Sequence, residues 1–252
     1  MNFSLEAACG CDIGKIRKNN EDNFFFDNRC LEEINVGLKH VVYYEKALKH
    51  EELLAVFDGM GGENYGEVAS YAAANCMKNY RRKLLDYFVP EKKFLQNLCL
   101  KMNEAVLEKQ KELYTERMGT TVVAFYFTYC KVYVCNLGDS RAYRLRDGVF
   151  QQLSKDHILH DGTQKKKAPL TQHLGISPED FIIEPFIAKG DLKSGDNYLL
   201  CSDGLTDMLS NLEVEQILSS GQSVDMCVQQ LIDGAKKRGG KDNITVIICR
   251  IK

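Results

Sequence analysis

Four strand-length apolar stretches follow one another between Thr120 and Leu153 with no helical spacing between them: TTVVAFYF (120–127), KVYVCNL (131–137), RAYRLR (141–146) and VFQQL (149–153). Asp147-Gly148 joins the last two as a tight hairpin turn. Helical spacing is gathered elsewhere. It runs from Glu63 to about Tyr87, where Val68, Ala72, Cys76, Tyr80 and Leu84 recur, and from Phe94 to Tyr114, with Leu98, Met102, Ala105 and Val106 on one face. Two further helices are expected over 212–218 and 224–238. Strands and helices that arrive in blocks argue for an α+β fold and against a doubly wound parallel sheet.

The remaining strands are read at 2–10, 53–57, 181–188, 196–201 and 243–251, with 23–27 as the hairpin partner of the first. Residues 28–50 are ambiguous: VGLKHVVYY suits a strand and EKALKHEE a helical turn. Residues 154–180, polar, with a Lys165–Lys167 run and two prolines, form the longest loop. Without repeats or Pro/Ser/Gly linkers, a single domain spanning 1–252 is expected.

With 33 Lys+Arg against 35 Asp+Glu, the chain carries a formal net charge of −2. That balance argues against binding nucleic acid by neutralising phosphates along a duplex. The apolar runs are too short to span a bilayer, and MNFSLEAACG lacks the basic and apolar regions of a signal peptide. A cytoplasmic location with no membrane partner is therefore expected. The ten cysteines include no CxxC pair, and several sit inside apolar runs, so they read as reduced core thiols. His157 and His160 have HxxH spacing that can chelate zinc, but no cysteine pair accompanies them.

Asp-Gly occurs five times, and turn chemistry explains most of the occurrences. In LLAVFDGMGG and YLLCSDGLTD, however, an apolar strand delivers Asp58 and Asp203 directly before a glycine. A carboxylate at the end of a buried strand is costly unless a cation neutralises it, and a glycine lets a backbone carbonyl approach an ion. Glu21-Asp22, Asp139 and Asp242 stand at further strand ends. Each alone is compatible with ordinary loop chemistry. Together they suggest converging carboxylates, whose physical use is to hold hard divalent cations such as Mg²⁺ or Mn²⁺ through oxygen ligands. Arg17, five residues before Asp22, is either a solvated surface arginine or a guanidinium fork for two phosphate oxygens.

GKIRKNNED (14–22), LLAVFDGMGGENYGEVAS (53–70), MGTTVVAF (118–125), VCNLGDSRAYRLRDG (134–148), YLLCSDGLTD (198–207) and GGKDNITVII (239–248) appear in this order over nearly the whole chain. In that order they resemble the bacterial form of the metal-dependent protein phosphatase 2C family. The resemblance implies a four-layer α-β-β-α sandwich of two mainly antiparallel sheets flanked by helices. It also implies hydrolysis of phosphoserine and phosphothreonine in proteins, by a water activated between two Mn²⁺ or Mg²⁺ ions and without a phosphoenzyme.

By the same resemblance, Asp58 bridges the two ions, and Asp203 and Asp242 bind the first. The Gly59 carbonyl and Asp22 serve the second, with Glu21 further out. Asp139 and Asp207 fit a third, weaker site, and Arg17 matches the family's phosphate-binding arginine. Asn243 and Ser140 are supporting groups. The implied partners are phosphoprotein substrates and an opposing Ser/Thr kinase, with the chain acting as a monomer.

Two departures stand out. Met60, shared with bacterial relatives, replaces the histidine of eukaryotic ones, leaving the leaving-group proton to water at the cations, with His157 or His160 behind it. The segment from Ile158 to Ala168 is shorter than bacterial relatives usually carry. That opens the site, and Lys165–Lys167 either meets acidic phosphopeptides or is a solvated charge run. Two other readings of the whole chain are a silent regulatory module on the same fold and a phosphatase of small molecules. The former would be expected to lose a metal ligand, and none of Asp22, Asp58, Asp203 and Asp242 is lost.

Overall fold

In the computed structural model, residues 3–60, 65–80, 88–115, 118–159 and 169–252 are described. The strands are β1 (Ser4–Asp12), β2 (Asp22–Phe25), β3 (Val42–Ala47), β4 (Glu52–Met60), β5 (Gly119–Thr120), β6 (Val122–Phe127), β7 (Lys131–Leu137), β8 (Arg141–Arg146), β9 (Val149–Gln152), β10 (Phe186–Asp191), β11 (Asn197–Cys201) and β12 (Ile244–Ile251). The helices are α1 (Gly66–Asn79), α2 (Glu91–Glu112), α3 (Asp203–Thr206), α4 (Asn211–Leu218) and α5 (Val224–Lys237).

Two antiparallel sheets result. One has the order β3-β1-β12-β11-β8-β9; the other runs β10-β7-β6-β4-β2, with β5 paired to β4. Three apolar clusters separate four layers. Leu5, Ala7, Leu54, Val56, Phe125 and Ile247 fill the space between the sheets. Ala55, Phe57, Val122 and Ala124 turn the other way, against Ala69, Ala73 and Leu98 of α1 and α2. Val246 and Ile248 meet Val228 and Leu231 of α5 on the far side of the first sheet.

This layering explains why the central strands read as continuous apolar runs: both of their faces are covered. Burying each large side chain there contributes about 1.5–3 kcal/mol before the cost of ordering the chain. Helix α5 shows its side of the bargain in sequence, with Val224, Cys227, Val228, Leu231, Ile232 and Ala235 buried at three- and four-residue spacing. Among the described residues no helix is long and apolar enough to cross a membrane.

The β8–β9 hairpin and the four-layer plan match the expectations from sequence. Several local expectations do not. Residues 23–27 are not the hairpin partner of the first strand; β2 pairs with β4 in the other sheet, while β1 pairs with β3 and β12. Because these strands are buried on both faces, their apolar pattern carries no record of which sheet they join. EKALKHEE makes no helical turn, since Glu45–Ala47 completes β3 against β1.

The stretch 181–188 becomes a strand only from Phe186, because Pro185 lacks the N–H that a ladder needs. TTVVAFYF divides into β5 and β6, with Thr121 between two ladders. Asp58 is not terminal in its strand: β4 continues to Met60 by pairing with β5. The expected helix over 63–87 is seen as α1; residues 61–64 and 81–87 lie outside the described residues, as do His160 and Lys165–Lys167. All ten cysteines are free, and Cys130 is the exposed one.

Candidate metal centre

Asp22 and Asp58 are direct neighbours across the β2–β4 ladder, which sets two carboxylates side by side at the end of one sheet. The first sheet supplies the other side. Asp203 follows the end of β11 and opens α3, and Asp242 precedes β12, which pairs with β11. Asp139 lies just beyond β7, in the turn to β8. Burial pushes the Asp58 carboxyl well above its ordinary range, and the charges acting on it next are four carboxylates, Asp203, Asp22, Asp139 and Asp242. Asp58, inside β4 rather than at its end, is therefore the member on which the charges of the other four act.

Asp58 is also held by its backbone. Its N–H donates to Thr121 Oγ1 at 3.1 Å, while its carbonyl accepts from Thr121 N–H at 2.9 Å and from the Thr120 hydroxyl at 3.0 Å. Thr121 Oγ1 then reaches Ser140 Oγ at 2.7 Å, which ties the Asp58 strand to the residue following Asp139. The next residue, Gly59, donates its N–H to the Glu21 carbonyl at 3.0 Å. A Cβ at Gly59 would overlap the carbonyl oxygens of Gly66 and Glu21, so only glycine fits between the β2 entry and the start of α1.

Asp22 is 1% exposed, and its Oδ2 accepts hydrogen bonds from Ser202 Oγ and Thr245 Oγ1, both at 2.7 Å. Burial drives its carboxyl up to about 7, against the lowering effect of the two hydroxyls. Glu21 is likewise raised by burial, with Arg17 opposing and Glu67 and Asp242 reinforcing. Arg17 Nε and Nη2 take the two oxygens of Asp242 at 2.9 Å each. That hydrogen bonding raises the guanidinium pKa further, so Arg17 is permanently charged. Asp207 closes α3, its N–H donating to the Asp203 carbonyl at 2.8 Å.

Among the described residues no three of the His, Cys, Asp and Glu side chains close on one point in ligating geometry. Protein donors hold Asp242 and Asp22 in place: Arg17 meets the former and the two hydroxyls the latter. The donor set nevertheless fits a hard divalent cation. It is all oxygen, with Asp22 buried and Asp58, Asp139, Asp203 and Asp242 half-buried, and the strongest charges around its central member are all negative.

His157 falls outside the cluster's chemistry. Its Nδ1 accepts the Gly138 N–H at 3.2 Å, and burial lowers its pKa, so it is a neutral brace for the turn that carries Asp139. This argues against His157 as a zinc ligand through Nδ1. His160 lies outside the described residues.

Ser202, Thr245, Thr121 and Glu67 were not legible as site residues. The signal available was position alone: Ser202 precedes Asp203, Thr245 lies three residues after Asp242, and Thr121 is the second threonine of MGTTVVAF.

A family model described as protein phosphatase 2C matches residues 43–236. The serine/threonine phosphatase stp of Listeria monocytogenes is 32% identical over 97% of this chain and 95% of its own length. Among solved structures, the catalytic domain of the serine/threonine protein phosphatase PstP in complex with two manganese ions is 30% identical. It superimposes with a TM-score of 0.74 over 99% of both chains. PppA of Pseudomonas aeruginosa, described as a key regulatory component of T6SS, is 26% identical with a TM-score of 0.78 over 99% of this chain and 100% of its own.

Proposed function

Since the chain belongs to the protein phosphatase 2C family, we propose that it is a protein serine/threonine phosphatase whose single catalytic domain, 1–252, hydrolyses phosphoserine and phosphothreonine with divalent-metal help. The observation that carries this reading is the pairing of Asp22 with Asp58 across the β2–β4 ladder, with Asp203, Asp139 and Asp242 also acting on the half-buried Asp58. In this reading Asp58 would serve both cations, Asp203 and Asp242 the first, and the Gly59 carbonyl and Asp22 the second, with Glu21 further out. Asp139 and Asp207 serve a third. Mn²⁺ and Mg²⁺ both suit these ligands. When bound, the ions supply positive charge for the phosphoryl oxygens and bring the pKa of water toward neutrality.

The chain's own contributions follow from its geometry. Arg17 is 45% exposed in its side chain, so the fork that now meets Asp242 is open to a phosphate and matches two of its oxygens. Fixed charge placed where phosphoryl oxygens gather is the main task in this chemistry. Thr120 and Thr121 hold the Asp58 peptide so that its carboxylate direction is set before substrate arrives. The buried cysteines do not act as nucleophiles: burial raises the Cys9 and Cys11 thiols, Cys11 up to about 12. The leaving-group proton is assigned to water, with His157 behind it. A Ser/Thr kinase supplies the phosphoproteins, and the chain acts as a cytoplasmic monomer.

Phosphate release from a phosphothreonine peptide tests the reading, with Mn²⁺, with chelator, and with Asp203→Asn. Release that requires the metal and vanishes in the variant is expected. A folded, Mn²⁺-binding protein that releases no phosphate would leave the silent regulatory module as the better account.

A further inference from the structure

The loop 13–21 carries Arg17 and Glu21 yet has no regular secondary structure, and most of its anchorage is to one short segment, 240–243. Asn243 is the centre of that seat. Its side-chain Nδ2 donates to the Ile13 carbonyl at 2.9 Å and to the Asn19 carbonyl at 3.0 Å, while Oδ1 accepts the Glu21 N–H at 2.8 Å. One amide thus closes the arc from 13 to 19, with Arg17 inside it, and fixes the residue beyond. The side chain is buried, and these three bonds engage both of its polar atoms.

Neighbouring contacts set the same seat. Lys15 N–H donates to the Gly240 carbonyl at 2.7 Å. Gly14 has φ +81°, and a Cβ there would overlap the Asp242 carbonyl oxygen. The Asn243 backbone N–H holds Asp242 Oδ1 at 3.0 Å, so one residue orients Asp242 through its main chain and the Arg17 loop through its side chain. The side of Asn243 away from the loop is closed as well, since a Cβ on Gly204 at the start of α3 would overlap the Asn243 carbonyl oxygen.

We propose that Asn243 is the positioning residue of this phosphatase for substrate phosphate: its side chain fixes where Arg17 stands relative to Asp242. The inference rests on the reading of Arg17 as the phosphate-binding residue. Losing the side-chain amide leaves Asp242 oriented and the ladder of β12 intact, but lets the arc carrying Arg17 move. The phosphate-binding fork is then displaced while the carboxylates stay.

The test is a double-mutant cycle of Asn243→Ala and Arg17→Ala. It is read by KM and kcat on a phosphothreonine peptide, by inhibition with inorganic phosphate, and by calorimetric titration with Mn²⁺. Asn243→Asp, close in shape, carries the same test without the two donor bonds if the alanine variant folds poorly. Expected for Asn243→Ala is a rise of about tenfold in KM and in the phosphate inhibition constant, with kcat and Mn²⁺ affinity within about threefold. In the Arg17→Ala background the same substitution should change KM by less than about twofold, because partners in one unit are not additive.

A full tenfold effect that persists without Arg17 overturns the proposal. So does a loss of kcat at unchanged KM. If Arg17→Ala alone leaves KM and phosphate inhibition unchanged while Mn²⁺ still binds, the assignment of Arg17 fails and the positioning role falls with it. That result leaves the metal centre standing.

Discussion

The carboxylate cluster has two halves built in opposite ways. Asp22 and Asp58 sit on paired strands, fully within the ladder, with their backbones or oxygens fixed by Thr121, Ser202 and Thr245. Glu21, Asp139 and Asp242 sit on connecting segments, and the partner of Asp242 is a half-exposed arginine. The inner half is held by backbone pairing and buried hydroxyls, where geometry is rigid and desolvation is severe. The outer half is held by loop hydrogen bonds, where side chains can exchange partners. The proposed cation ligands draw on both kinds of construction, whereas Arg17, read as the group that meets substrate, stands wholly in the second.

Several experiments would break or sharpen that contrast. The largest effect is expected from Asp58→Asn at the centre of the inner half. Phosphate release should fall at least about a thousandfold, on the scale of losing a central electrostatic group. The metal-free protein should melt at a higher temperature, since the repulsion around Asp58 is relieved. A variant that keeps its Mn²⁺ stoichiometry in calorimetry would remove Asp58 from the centre.

Thr245→Val comes next. It leaves Asp22 Oδ2 buried with one donor fewer, and urea denaturation of the metal-free protein should register a loss of about 1–3 kcal/mol. No change would mean that the hydroxyl clasp is incidental. In the outer half, Arg17→Lys keeps the charge but loses the fork, so KM should rise roughly five- to tenfold with little change in melting temperature. An equal loss in kcat and stability would place Arg17 with the rigid half instead.

The smallest expected effect is a pH dependence. Asp22 and Asp58 have folded-state pKa values raised by burial, Asp22 to about 7. A raised carboxyl favours the fold while it is protonated in the native state, so its contribution is lost as pH climbs from the unfolded value near 4 through about 7. The stabilisation of the protein by Mn²⁺ should therefore be greater at pH 8 than at pH 5.5, measured as the shift in melting temperature. An equal shift at both pH values would show that the acids do not face the cation.

Much of the outer half was legible in sequence because its acids stand beside a strand end, as Asp139 does after β7 and Asp242 before β12. The α+β layering was legible from the strand block at 120–153. Less could be read of the inner half. The pairing of β2 with β4 rather than β1 is set by contacts over more than thirty residues, between strands apolar on both faces. The clasp on Asp22 joins residues 180 and 223 positions away. A serine or threonine next to an acid looks the same in sequence whether it points at solvent or at that distant carboxylate. Pro185, by contrast, was a local signal, and reading it would have shortened the expected strand at 181–188.

Asp22 belongs to one sheet and Thr245 to the other, while Ser202 follows directly on β11 of that other sheet. The carboxylate is thus a rivet through the two central layers, placed at the rim where the ligands gather. Sliding one sheet along the other by even an ångström would shear both hydroxyl bonds, which at 2.7 Å have little length to give. Affinity for the cation becomes a gauge of how the two sheets are aligned.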